Sequence, residues 1–210
     1  MKEIENLESK SFWMKNTPET NYPVLDEGLS VDVAILGGGI AGITAASLLN
    51  ESGLSVALIE AEKIIKDVTA NTTAKITAAH NVIYSNLESH FGKEGARTYA
   101  QANQSAIDKI ESIINEKNIS CDFKRLPCYV YSENSADRDK LKKESKAAAD
   151  AGLQVSYVET SPLPFEIAGA AKYENQAEFH PRKYLLGLTK NLSGDNSYIF
   201  EETRALEVKL

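Results

Sequence analysis

The run Val31-Asp32-Val33-Ala34-Ile35-Leu36-Gly37-Gly38-Gly39-Ile40-Ala41-Gly42 carries an apolar segment of strand length into a glycine cluster, then into small and apolar residues at helical spacing. Leu48 and Leu49 continue the helical face, Gly53 stops it, and Ser55-Val56-Ala57-Leu58-Ile59 forms a second apolar run ending in Glu60. Strand, glycine turn, helix and second strand in this order have the form of a unit that holds a dinucleotide by its pyrophosphate. Gly37 permits the tight turn, Gly39 lets the backbone approach phosphate, and Gly42 lets helix and strand pack closely. Phosphate oxygens then meet the free N–H groups of the helix start, where the helix dipole favours negative charge. Glu60 stands 23 residues beyond Gly37, where an acceptor meets a ribose hydroxyl. A glycine-rich turn in an unrelated α/β protein is the competing reading. The strand before the turn, the helix after it and the acid at this distance favour the dinucleotide.

The chain has 210 residues, 42% of them hydrophobic and 25% charged, an ordinary balance for a globular protein. Its formal net charge of −7 argues against a nucleic-acid surface. The basic run Lys140-Leu141-Lys142-Lys143 sits between Asp139 and Glu144 at helical spacing and reads as a solvated face. No apolar stretch reaches spanning length and the start lacks the form of a signal peptide, so a cytoplasmic location is expected. Cys121 and Cys128 fit neither a CxxC redox pair nor a zinc knuckle and read as structural thiols.

Along the chain, residues 1–27 read as an extended arm whose Trp13 and Tyr22-Pro23 dock onto the body. Thr69 to His80 reads as a loop leading into a helix capped by Asn71 or Thr72. The spacing predicts a long amphipathic helix over 94–118, its apolar stripe interrupted by Asn103, which reads as a hydrogen-bonded structural asparagine. A strand with an edge or bend at Pro127 is predicted over 123–132, a helix over 137–151 stopped by Gly152, and a short strand over 153–158. Two strands, 170–173 and 177–179, are expected around a turn at Glu174-Asn175-Gln176. His180-Pro181 opens a helix, with His180 a packing or capping residue rather than a base. Beyond a turn at Gly194-Asp195, residues 198–210 read as a strand, a bend and the beginning of another strand. His90 lies in polar sequence and is expected at the surface.

With these residues set out, the chain resembles the D-amino-acid oxidase-like flavoprotein superfamily. Asp32 to Glu60 is similar to the superfamily's FAD-binding start. Thr72-Thr73-Ala74-Lys75-Ile76-Thr77-Ala78-Ala79-His80 followed by Ile83-Tyr84, with Trp13 and Tyr22-Pro23, is similar to its FAD-dependent oxidoreductase branch, many of whose members carry a C-terminal Rieske 2Fe-2S domain. The resemblance implies an α/β Rossmann-like FAD-binding domain with an inserted α+β substrate domain, truncated at the C-terminus. It divides the chain into an arm (1–27), a first FAD-binding part (28–118), the insertion (119–178) and an incomplete return to the FAD-binding domain (179–210).

Carried over by position, Gly37, Gly39, Ile40, Ala41 and Gly42 face the FAD pyrophosphate, and Glu60 with Ala61 the adenosine ribose. Thr72, Thr73 and Lys75 lie near the pyrophosphate–flavin part, with Lys75 a candidate charge for the N1–C2=O edge, and a backbone group near Val208 approaches the adenine. The implied chemistry is hydride transfer from a small-molecule amine or amino acid to flavin N5. The implied electron acceptor is a separate partner or a Rieske domain of a longer protein. The sequence holds no Rieske Cys/His pairs and no Trp-His context for covalent flavin attachment. No catalytic residue is named, because the resemblance implies that the substrate-fixing residues of such folds lie mostly beyond Leu210. An NAD-binding dehydrogenase and a non-catalytic FAD-binding piece are the alternatives.

Overall fold

The structure, a computed structural model, describes residues 10–190, 192 and 196–209. Residues 1–9 of the arm, the turn at Gly194-Asp195 and Leu210 lie outside them. Two compact units are present, one drawn from Met1–Thr73, Lys117–Cys121 and His180–Leu210, the other from Ala74–Glu116 and Asp122–Phe179.

The first unit is built on a parallel sheet of β1 (Val33–Leu36), β2 (Val56–Ile59) and β7 (Ser197–Phe200), in the order β1-β2-β7. Val33 pairs with Val56 and Val56 with Ser197, and the register runs on without a shift. Central β2 buries Val56, Ala57 and Leu58, as a continuous apolar run in a parallel sheet should. α2 (Ile40–Glu51) turns Ile43, Ala46 and Ser47 inward, and α6 (Pro181–Thr189) packs beside it with Leu185 and Leu188 buried. Ile43, Leu58, Leu185 and Leu188 are wholly inaccessible, and each such side chain contributes roughly 1.5–3 kcal/mol of burial. Asp32 ties the starts of β1 and β2, its Oδ2 accepting from Ser55 N (2.8 Å) and Oγ (2.6 Å). Those bonds hold the Asp32 carboxyl below its usual range. His180 caps α6, its Nδ1 accepting from Lys183 N, and Pro181 occupies the first helical position.

The second unit is an antiparallel sheet centred on β6 (Gly169–Glu178). β4 (Lys124–Ser132) runs along one edge, and β5 (Val155–Val158) and β3 (Lys75–Ile76) share the other. α4 (Tyr84–Glu116) and α5 (Arg138–Asp150) complete it. Alanines 96, 100, 147, 148 and 171 are buried around Tyr84 and Tyr173, so helix and sheet backbones approach closely over two large rings. The register slips between Leu126 and Cys128, where Pro127 cannot donate to the ladder. Asn103 donates to Tyr99 O at 2.9 Å. His90 is exposed, Cys121 is buried and Cys128 is partly so.

Several elements differ from the sequence reading. Residues 170–178 form one strand rather than two, because Asn175 takes φ 57 within β6 and absorbs the irregularity without reversing the chain. Asn71 does not start a helix. It ends the short α3 (Asp67–Ala70), donating to Asp67 O, and the residues beyond pair with β6 as β3. The long helix starts ten residues earlier, at Tyr84, with a break at Gly92 (φ 70). Residues 74–116 belong with the second unit, since Ala96 and Ala100 pack into the core that contains Tyr173. Residues 203–209 form no second strand after β7.

Candidate functional site

The glycine turn in the first unit follows from two local constraints. Gly37 takes φ 110, a conformation closed to ordinary side chains, and its N–H donates to Ile59 O at 2.8 Å. Gly42 sits so close under the turn that a Cβ there would lie 2.0 Å from Gly37 O. Together they deliver the chain to Gly39, which caps α2 in extended conformation with no side-chain hydrogen bond. Ile43 N bonds Gly39 O at 3.0 Å, so the preceding N–H groups of Ile40, Ala41 and Gly42 have no carbonyl within the helix. Ile40 and Ala41 are exposed. A helix start with no local cap and open amides suits an anionic group.

Glu60 lies at the end of β2, half-buried, and reaches back to the turn. Its Oε2 accepts from Gly38 N at 2.7 Å and its Oε1 from Glu62 N at 3.0 Å. The structure thus brings Gly37, Gly39, Ile40, Ala41, Gly42 and Glu60 to one end of the parallel sheet, with Ala61 next along the chain. A carboxylate there offers acceptors to a sugar's hydroxyls. Behind it, Glu60 N donates to Phe200 O, Thr203 N to Glu60 O and Glu202 N to Glu62 O.

Thr72 and Thr73 are exposed, beyond α3. Thr72 O accepts from the indole Nε1 of Trp13 at 2.8 Å, and the Trp13 ring meets His180 edge-on at 4.9 Å. The arm thus docks through Trp13, by a hydrogen bond as well as by packing. Lys75 is exposed on β3 of the second unit. Val208 is 73% exposed, and no hydrogen bond among the described residues joins it to the glycine turn.

Two residues that the sequence reading missed hold this end of the sheet. Glu201, wholly buried, accepts from Thr20 Oγ1, Tyr22 N (3.0 Å), Ile64 N (3.0 Å) and Lys63 Nζ (3.2 Å). Burial alone pushes its carboxyl up, but these four bonds outweigh it and hold the group below the usual range. Arg182, 3% exposed, donates to Thr17 Oγ1 (2.6 Å), Ile65 O (2.7 Å) and Pro18 O (2.7 Å). No local motif marks either one, because their partners lie more than a hundred residues away. Among the described residues there is no cluster of three metal-ligating side chains, and no helix is long and apolar enough to cross a membrane.

A family model described as FAD dependent oxidoreductase, DAO, matches residues 32–210. The Bacillus subtilis protein YhfW, named for a Rieske 2Fe-2S iron-sulfur centre, is 38% identical over 200 residues, covering 95% of this chain and 39% of that protein. Among solved structures, glycine oxidase from Bacillus cereus superposes with a TM-score of 0.67 at 17% identity, over 86% of this chain and 48% of its own. L-amino acid deaminase from Proteus myxofaciens, in complex with anthranilate, gives 0.66 at 17% identity, over 93% and 42%. The chain therefore spans less than half the length of these relatives.

Proposed function

The chain belongs to the DAO family of FAD-dependent oxidoreductases, and from that premise we propose that the protein oxidises a small amine or amino acid at its C–N bond. The observation that carries the reading is the uncapped start of α2 facing Gly39 with Glu60 beside it, inside a stretch that matches the family throughout. FAD, the family's cofactor, would supply the hydride acceptor for the carbon next to the substrate nitrogen, and the oxidised substrate, an imine, would hydrolyse in water.

In this reading the residues of the first unit bind and orient. The amides of Ile40, Ala41 and Gly42 hold the diphosphate, and Gly39 leaves room for its approach. Glu60, its orientation set by Gly38 N and Glu62 N, accepts from the ribose hydroxyls, with Ala61 alongside. Thr72, its carbonyl held by Trp13, and Thr73 line the route toward the flavin. The roles of Lys75 and Val208 rest on the family resemblance alone. The names of glycine oxidase and L-amino acid deaminase support a C–N substrate. The name of YhfW supports a Rieske centre as electron acceptor in a longer protein, which an electron paramagnetic resonance spectrum of that protein would reveal.

The test is a visible spectrum and mass spectrometry of the purified protein. Oxidised-flavin bands and a released FAD mass are expected, and Gly39→Val should abolish retention by closing the approach to the α2 amides. Unaltered flavin binding in that variant would refute the assignment of the loop.

A further inference from the structure

Between Glu60 and α3 the chain passes through a backbone conformation that needs support. Ile65 takes φ 56, a conformation that a β-branched residue adopts only under constraint, yet it is 1% exposed. Its N–H donates to Gly38 O at 2.9 Å, and its carbonyl accepts from Arg182 at 2.7 Å. Ile64 lies so tightly against Gly38 that a Cβ on that glycine would sit 2.3 Å from Ile64 Cγ2. The middle residue of the glycine turn is therefore shaped by Ile64 and Ile65 from one side and by Glu60 from the other.

What holds Ile64 is Glu201. Oε1 takes Ile64 N and the Thr20 hydroxyl, and Oε2 takes Tyr22 N and Lys63 Nζ. A carboxylate is the one side chain that offers only acceptors on both oxygens. We propose that Glu201 is a positioning residue for the cofactor: through Lys63, Ile64 and Ile65 it sets Gly38, and hence the open start of α2. The arm takes part as the far wall of the same cage, since Thr20 and Tyr22 share the carboxylate and Thr17 and Pro18 share Arg182 with Ile65. The inference rests on the FAD reading of the glycine turn.

Glu201→Gln tests it, because shape is kept while acceptor capacity is lost. With the amide nitrogen at the Oε1 position, Ile64 N faces an NH2 group. With it at Oε2, Tyr22 N and Lys63 do. The protein loaded with FAD should lose flavin affinity about tenfold, one charge-assisted bond's worth. Hydrogen exchange at Ile64, Ile65 and Gly38 should quicken by a similar factor, while β2 stays protected. Facing Glu201 are Lys63, itself 3.5 Å from Glu202, and Arg182, which also feels Glu19. In the unaltered protein, FAD affinity should fall as acid protonates Glu201, and the glutamine variant should lack that acid limb. Lys63→Met, which removes one donor from a partly exposed side chain, should weaken FAD two- to fivefold without loss of fold.

Unchanged exchange at Ile65, or an equal rise across the whole first unit, overturns the inference. So does selective exchange with unaltered FAD affinity. Failure of the FAD reading shows differently, as an unaltered protein that takes up no flavin, and would remove the inference with it.

Discussion

Replacing Glu144 by alanine should be among the most damaging changes available in the second unit. Glu144 is wholly buried on α5, and its carboxylate serves α4. Oε1 accepts from Ile83 N and Tyr84 N, each at 2.8 Å, and from the Tyr173 hydroxyl at 3.3 Å. Oε2 accepts from Ser85 N at 2.9 Å. These amides lie just before and at the start of α4, where a helix has no carbonyls of its own to use and where negative charge is favoured. A charged residue 60 positions away thus performs the work of a local cap. Each charge-assisted bond is worth roughly 1.5–3 kcal/mol. Ile83 and Ser85 are only partly buried and can recruit water once the carboxylate is gone, so the alanine variant should lose about 3–5 kcal/mol. Glu144→Gln separates the contributions. Its oxygen at the Oε1 position keeps Ile83, Tyr84 and Tyr173, and only Ser85 N is left facing an NH2, so its cost should be about 1–2 kcal/mol. Guanidinium denaturation with segment-resolved hydrogen exchange is the suitable assay, because two compact units need not unfold together. Loss of protection should concentrate at residues 83–85 and spread to β6. A loss below about 1 kcal/mol in the alanine variant, or equal losses in both variants, would refute the capping role.

Gly42→Ala should break the turn rather than the helix, because the new Cβ falls 2.0 Å from Gly37 O and only backbone movement relieves it. A cost of about 1–3 kcal/mol with a matching loss of flavin is expected, and a thermal melt unchanged from the unaltered protein would contradict the packing. Burial pushes the Tyr184 phenol up to about 12 and lifts those of Tyr84 and Tyr173 further, the last two also facing Glu144. A raised phenol favours the folded state fully at pH below the ordinary phenol range, and that stability is lost as pH climbs through the raised values. Absorbance at phenolate wavelengths should therefore show three of the nine tyrosines ionising only with alkaline unfolding. Smooth ionisation of all nine in a still-folded protein would refute it.

What could be read without the structure follows the range of the interactions involved. β1, the glycine turn, α2 and β2 depend on neighbours in sequence: an apolar run, a residue that tolerates φ 110, and a helix start left uncapped. His180 was legible for the same reason, since its cap bond spans three residues. Asn175 misled because a residue suited to turns also tolerates φ 57 inside a strand, and what decides is whether β4 and β5 hold the flanking residues in line. The stretch after Asn71 misled because its helical composition is overridden by pairing with Ala177 and Glu178, a hundred residues on.

Glu144 and Glu201 show the limit most sharply. Each is a buried carboxylate feeding backbone amides on a distant segment, and each looks in sequence like an ordinary surface acid, one inside a lysine-rich helix and one in the acidic pair with Glu202. The glycine motif announces where an anion would sit. The groups that hold the motif in shape come from Glu201, Arg182 and the arm, which meet it only in the folded chain. A variant scan confined to residues 37–60 would therefore miss Glu201, Arg182 and the arm. Matched losses of flavin in Gly42→Ala and Glu201→Gln, with the second unit's exchange unaltered in both, are the pattern that this division of labour requires.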